Sequence, residues 1–123
     1  MLTVVAYGLA VLLNVFIIVI GVRFLAAPVA AAAGYGVPAD PRAAGAYLSV
    51  KGVRDITVGL IGLALLTFAG APAAAWFMLV VVLVPLGDTL IVLRHGGTRA
   101  TAFGVHLSTA VIVAISASLL FTQ

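Results

Sequence analysis

The chain has 123 residues, of which 65% are hydrophobic and 7% charged, whereas a soluble domain carries about 25% charged residues. A water-soluble chain this short could not bury so much apolar surface. The composition therefore excludes a soluble globule and predicts a single integral membrane domain over residues 1–123. The net charge of +3 comes from scattered basic residues, so we do not expect nucleic acid as a partner. The absence of cysteine excludes disulfides, thiol chemistry and thiolate metal sites.

The first predicted span covers residues 3–25. It contains no charge before Arg23 and is long enough to cross a bilayer. No positive charge precedes this apolar run, which is also longer than the core of a signal peptide, so we expect an uncleaved helix. Tyr7, Asn14 and Gly21 recur every seven residues and share one face, which we predict to contact protein. Asn14 is the only strongly polar residue in the middle of this span.

The segment 26–40 is the longest connection in the chain. Pro28 can begin a short interfacial helix, while Gly34, Gly36 and Pro38 interrupt it. One interpretation is a lid over the mouth of the bundle, and the other, which the sequence favours, is a spacer at the lipid surface. Asp40-Pro41 then predicts a helix start, with Asp40 as N-cap.

The second predicted span, residues 41–69, would be about 43 Å long at 1.5 Å per residue. It exceeds a hydrocarbon core of about 30 Å, so the helix must tilt or project. It carries glycines that let a neighbouring backbone approach closely, namely Gly45, Gly52, Gly59 and Gly62. Lys51, Arg54 and Asp55 lie on an adjacent face at spacings of three and four. We therefore predict that this charged face points into the bundle.

The third and fourth predicted spans cover residues 72–94 and 99–121. Pro85 must interrupt the hydrogen bonds of the third helix and leave a carbonyl free near Val81, and Asp88 follows it. Thr98 is the expected N-cap of the fourth helix, in which His106 lies on a partly polar stripe. The predicted fold class is all-α, an integral membrane four-helix bundle.

The basic residues predict the orientation of this bundle. One side of the membrane would carry Arg23, Arg42, Arg94 and Arg99, and the other side would carry no Lys or Arg. The positive-inside rule then places the basic loops in the cytoplasm and both termini outside. We therefore expect a multi-pass protein of the cell membrane.

All four spans bring polar groups to a similar depth. Asp88 lies about 9 Å from Arg94 along its helix, and His106 about 10 Å from Arg99. The predicted layer, and the predicted ligand-binding set, consists of Asn14, Lys51, Arg54, Asp55, Asp88 and His106. Within it we expect Lys51 to pair with Asp55 and Arg54 with Asp88, while Asn14 and His106 add hydrogen bonds.

Several short motifs resemble a known family. They are Gly21-Val-Arg-Phe-Leu-Ala-Ala-Pro28, Tyr35-Gly-Val-Pro38, Lys51-Gly-Val-Arg-Asp55 with Gly59, Pro85-Leu-Gly-Asp88 and Arg94-His-Gly-Gly97. Over nearly the whole chain they resemble the small membrane proteins called domain of unknown function 4267. The resemblance implies a four-helix membrane protein and no established activity. The architecture is more loosely similar to the DoxX-like and sterol-isomerase/sigma-2-receptor-like membrane proteins, by analogy only.

Three classes of function remain open from the sequence. The first is a binding or transport module, acting as a monomer or homodimer, whose polar layer holds a small lipophilic molecule. The second is a membrane-embedded isomerase or cyclase in which Asp88 or Asp55 acts with His106 in proton transfer. The third is a structural subunit whose ion network only holds the bundle. We expect no metal and no cofactor, because no ligand pair has metal-site spacing; the expected partner in every case is the lipid bilayer.

Overall fold

A computed structural model describes all residues 1–123, and its regular structure is entirely helical. Where the sequence predicts four helices, the structure has five when each interrupted helix is counted once, because a short helix precedes the second span. In chain order the elements are α1 (Leu2–Ala26), α2 (Pro28–Tyr35), α3 (Pro41–Phe68), α4 (Ala71–Val81), α5 (Leu83–Arg94), α6 (Arg99–Thr101), a π-helical segment (Ala102–Leu107) and α7 (Ser108–Phe121).

Helices α1 and α3 form the most extensive contact of the fold. A Cβ added to Gly21 would lie 2.5 Å from the Gly52 carbonyl oxygen, and one added to Gly59 would lie 2.5 Å from the Asn14 carbonyl oxygen. Only glycine allows two backbones to approach this closely. The predicted glycine ridge is therefore confirmed from Gly52 onward, whereas Gly45 has no neighbour within 4 Å.

Alanines build the contact between α1, α4 and α7. Ala6, Ala10, Ala74, Ala75 and Ala117 are all fully buried and belong to one apolar cluster with Met78, Val113 and Leu120. Small side chains permit close helix packing where lipid offers no hydrophobic drive for association. Many larger apolar side chains lie on the outer surface instead, as illustrated by Leu12, which is 64% exposed, and Leu83, which is 68% exposed.

The segment after α1 folds back onto the bundle as α2. Pro28 is at its first position, and Gly36 ends it in the left-handed conformation with φ of 93°. Ala31 and Ala32 are buried against Phe24 of α1. Helix α2 packs against both α1 and α3, which favours the interpretation of this segment as a lid over that of a spacer.

Two long helices deviate from regular α geometry. The third predicted helix is interrupted at Val82, three residues before Pro85, as the missing amide hydrogen of proline requires. The fourth begins at Thr98, whose hydroxyl accepts from the Thr101 amide, and then contains the π-helical segment, which the sequence did not predict. Asp40 caps α3 as expected by accepting from the Arg42 amide.

Three helices are long and apolar enough to cross a membrane, counting interrupted helices as one: Leu2–Ala26, Ala71–Arg94 and Arg99–Phe121. Helix α3, the second predicted span, is not among them. It has 28 residues, but Lys51, Arg54 and Asp55 lie near its middle and lower its hydropathy.

Candidate functional site

A cavity of about 1050 Å³ lies among α1, α3, α4–α5 and the π-helical segment with α7. Its walls are mostly apolar, and one region of the wall is polar. The polar lining includes Asn14, Tyr35, Lys51, Arg54, Asp55, Asp88, His106 and Thr109. The structure thus brings all six residues of the predicted ligand-binding set to the wall of one cavity.

Tyr35, at the end of α2, is the centre of the polar region. Its hydroxyl donates a hydrogen bond to Asp88 Oδ2, and its backbone carbonyl accepts one from His106 Nε2 at 2.8 Å. Its ring makes edge contacts with the His106 ring, at a centroid distance of 4.4 Å, and with the Phe24 ring, at 5.5 Å. Burial, and then the negative charge of Asp88, raise the pKa of the Tyr35 hydroxyl far above its ordinary value. Tyr35 therefore remains a hydrogen-bond donor.

His106 is only 3% exposed and lies in the π-helical segment. Because a carbonyl oxygen can only accept, the bond to Tyr35 requires the proton on Nε2. The other ring nitrogen, Nδ1, lies 4.0 Å from Asp88 Oδ2. The expected neighbourhood of His106 and Asp88 is thus present, and Nδ1 is a hydrogen-bond acceptor when the ring carries only the Nε2 proton. π-helical segments occur frequently at functional sites.

Lys51 pairs with Asp55 inside α3, as the spacing of four residues predicts. Its Nζ lies 2.6 Å from Asp55 Oδ2. The same ammonium lies 4.3 Å from the centre of the Tyr35 ring and 4.6 Å from that of Phe24. Two aromatic faces and one carboxylate therefore surround this cation, an arrangement that stabilises a charge withdrawn from water.

The predicted pair between Arg54 and Asp88 is wrong. Lys51–Asp55 and His106–Asp88 are the charged pairs within 4.0 Å, and Arg54 is in neither. Arg54 is exposed and lies at the rim of the cavity, which also includes the exposed residues Arg23 and Tyr47. The physical reason is that the cavity separates α3 from α5, and Tyr35 enters from α2 to bind the carboxylate of Asp88.

Asn14 also differs from the prediction, since it adds no hydrogen bond to the charged residues. Its side-chain amide donates to the Ala10 carbonyl at 2.8 Å within α1. The side chain is 5% exposed and lies against Gly62 of α3, where a Cβ would overlap it. Asn14 therefore stabilises the α1–α3 contact at one wall of the cavity.

A second cavity, of about 350 Å³, adjoins the polar region. Four residues line both cavities, namely Phe24, Tyr35, Lys51 and Asp88. The second cavity is also lined by Val37 after α2, by Leu48 of α3 and by Ile91 of α5. The contacts around Tyr35 thus form a partition between two spaces.

Sequence reasoning did not assign Tyr35 and Phe24 to the site. Tyr35 is the only aromatic residue in the Ala- and Gly-rich segment 26–40, and this contrast was the available signal. Phe24 is 2% exposed and gave no comparable signal, since apolar residues are common in a predicted span.

Residues 14–120 match the model of the family described as Domain of unknown function (DUF4267). The chain belongs to this family. No curated protein and no solved structure matches the chain. In this DUF4267 protein the matched region begins at Asn14 and includes every residue of the polar region of the cavity.

Proposed function

We propose that this DUF4267 protein is a four-span membrane protein that binds a small lipophilic molecule in the cavity beside Tyr35. The observation that carries the proposal is the cavity of about 1050 Å³ with apolar walls and one polar region. Small-molecule sites are typically concave, mostly apolar and about 300–1,000 Å³ in volume, with a few placed polar groups. In binding or transport, the apolar walls would contact the hydrocarbon part of such a molecule and the polar region would contact its polar group.

The position of α3 in the bundle supports its role as a membrane span, which would bring the number of spans to four. It packs along α1, itself long and apolar enough to cross a membrane. The charges of Lys51 and Asp55 neutralise each other at 2.6 Å, and Asp55 is 8% exposed. Because the paired charges face protein rather than lipid, the cost of placing them in the membrane is reduced. Arg54 can extend its guanidinium towards the polar interface.

Thiol labelling tests whether the cavity binds a lipophilic molecule. The chain has no cysteine, so one introduced thiol reports on one position. Thr109 lines the cavity, whereas Val111 of the same helix is 52% exposed on the outer surface. In lipid nanodiscs we expect Thr109→Cys to react with N-ethylmaleimide faster than Val111→Cys. Saturating single-chain C12 amphiphiles should slow only the reaction at position 109.

The proposal fails if the thiol at position 109 reacts as slowly as the one at position 111 and no C12 amphiphile protects it. That result would favour a structural subunit, the third class of function, in which the charged groups only hold the bundle. Protection at both positions would indicate a general effect of the amphiphile on the bilayer and would also contradict the proposal.

An acid–base enzyme is the second candidate, and the geometry of Asp88 and His106 favours it specifically. Their facing atoms are 4.0 Å apart at the cavity wall, a separation in which a substrate proton can be exchanged between carboxylate and imidazole. Incubation of a lipid extract with wild type and with Asp88→Asn tests it. A compound that is converted only by the wild type supports an enzyme, and identical extracts after incubation argue against one.

A further inference from the structure

We infer that the polar region of the cavity recognises the protonated head group of a lipophilic amine, with Asp88 and His106 as its two acceptors. The inference rests on the proposed function and specifies the chemical class of the ligand.

Asp88 is the carboxylate of the cavity that has no lysine or arginine partner. Asp55 has Lys51 at 2.6 Å, whereas no Lys or Arg nitrogen lies within 4.0 Å of the Asp88 carboxylate. Its only direct hydrogen-bond partner is the neutral Tyr35 hydroxyl, and its side chain retains 20% exposure. A carboxylate in an apolar surrounding is strongly stabilised by an opposite charge. An ammonium group supplied by a ligand would provide that charge.

The neighbouring imidazole adds a second acceptor. Because the Nε2 proton of His106 is donated to the Tyr35 carbonyl, a ring that carries this single proton has its lone pair on Nδ1, 4.0 Å from Asp88 Oδ2. A donor group lying to one side of the line between these atoms would reach both at about 2.8 Å. An ammonium with at least two N–H bonds satisfies both acceptors. A carboxylate head group would instead meet a like charge.

The lysine and arginine residues that line the cavity do not reverse its preference for a positively charged head group. The Lys51 ammonium is held by Asp55 and by the rings of Tyr35 and Phe24. Arg23 and Arg54 lie at the exposed rim, where water weakens their attraction for a ligand. The cavity therefore presents acceptors in its polar region and apolar walls beyond it, complementary to an amine with a hydrocarbon tail.

A series of ligands with one tail and different heads tests the inference. Thr109→Cys in phosphatidylcholine nanodiscs is labelled with N-ethylmaleimide in the presence of dodecylamine, dodecyltrimethylammonium, 1-dodecanol or dodecanoate, and each concentration is corrected for membrane partition. We expect dodecylamine to protect the thiol at about tenfold lower concentration than 1-dodecanol, because hydrogen bonds to charged groups are the stronger ones. Dodecyltrimethylammonium, which has no N–H, should be weaker than dodecylamine, and dodecanoate weakest.

A pair of variants tests whether Asp88 is responsible for the preference for dodecylamine. In the Thr109→Cys background, Asp88→Asn should remove most of the preference for dodecylamine over 1-dodecanol. Asp40→Asn is the control, because it removes the same charge at the exposed N-cap of α3, where Asn also caps well; it should leave the preference unchanged. If Asp88→Asn does not fold, Tyr35→Phe is measured instead: it removes the only hydroxyl partner of the Asp88 carboxylate and should strengthen the preference for dodecylamine, and an unchanged or lower preference would contradict the inference.

The outcomes separate the inference from the proposed function. Equal protection by dodecylamine and 1-dodecanol, or stronger protection by dodecanoate, overturns the amine assignment while the binding cavity stands. If none of the four ligands protects the thiol, the proposed function itself fails. An amine preference that survives Asp88→Asn in a folded protein also overturns the inference, since Asp88 would not be the recognising group.

Discussion

Tyr35 decides at the scale of single residues how the charges of this protein are arranged. By donating to Asp88 it takes the place that the sequence suggested for Arg54, and its ring covers the Lys51 ammonium. Lys51 and Asp55 thereby form a closed pair, while Asp88 keeps an accessible carboxylate. One tyrosine from outside the long helices thus lies between the Lys51–Asp55 pair and the Asp88 carboxylate.

The Lys51–Asp55 pair is expected to stabilise the fold only while both partners are present. Lys51→Met leaves Asp55 buried without its cation and should lower the free energy of unfolding by up to about 3 kcal/mol. The double variant Lys51→Met/Asp55→Leu removes both charges and should regain most of that loss. Equilibrium unfolding in mixed micelles measures both. A double variant as unstable as the single one would contradict the role assigned to the pair.

Gly62 is expected to tolerate no side chain. A Cβ there would overlap the side chain of Asn14, and overpacking of this kind costs about 1–3 kcal/mol. Gly62→Ala should therefore destabilise the protein. Gly45→Ala is the matched control in the same helix, because nothing lies within 4 Å of it; it should gain about 0.5–1 kcal/mol from helix propensity. Similar unfolding midpoints for the two variants would show that α1 and α3 separate easily.

At the scale of elements, α2 and the π-helical segment act together. The π-helical segment carries His106, which holds the end of α2 through the Tyr35 carbonyl at 2.8 Å. Gly36 then turns the chain and lies against Val92 and Thr101. Helix α2, which belongs to none of the predicted spans, therefore completes the partition between the two cavities.

Loss of the Tyr35 side chain should loosen α2 without unfolding the bundle. Tyr35→Ala removes the bond to Asp88 and the ring contacts with Phe24 and His106, so amide hydrogen exchange over residues 29–36 should accelerate by about tenfold or more, if a contact of about 1.4 kcal/mol is lost. Exchange in α1 and α7 should stay slow. Tyr47→Ala is the control, since Tyr47 is 78% exposed. Unchanged exchange in Tyr35→Ala would mean that alanine packing alone holds α2.

At the scale of the whole molecule, the arrangement of charge predicts the orientation in the membrane. The basic residues Arg23, Arg42, Arg94 and Arg99 lie in the first or last turns of α1, α3, α5 and α6. The proposed four-span arrangement would place these helix ends, together with α2 and the turn before α6, on one side of the membrane. We expect this side to be cytoplasmic and both termini to be outside.

Labelling from outside the cell tests this orientation. A membrane-impermeant maleimide should label Gln123→Cys at the C-terminus in intact cells, and Thr98→Cys only after the membrane is opened. The cysteine-free wild type is the control for background. The reverse pattern would invert the assignment, and labelling of both positions in intact cells would contradict a membrane crossing by Arg99–Phe121, the helix between them.

The sequence alone determined the features that depend on local chemistry. Apolar composition, proline and glycine positions and the caps at Asp40 and Thr98 predicted the long helices and the break near Pro85, because these effects act within a few residues. Spacing along α3 predicted the Lys51–Asp55 pair for the same reason. The spacing of glycines also predicted that α3 makes a close contact with a neighbouring helix, which the structure shows to be α1.

Only the tertiary structure decided which polar groups meet across helices. Partners such as Tyr35 and Asp88 are 53 residues apart in the chain, and helical periodicity carries no information on how two helices rotate about their axes. The π-helical segment depends on the same packing, since no local sequence rule predicts it. Thus the sequence determined that the bundle contains buried charge. The way α2 folds back determined that Tyr35, rather than Arg54, binds the carboxylate of Asp88.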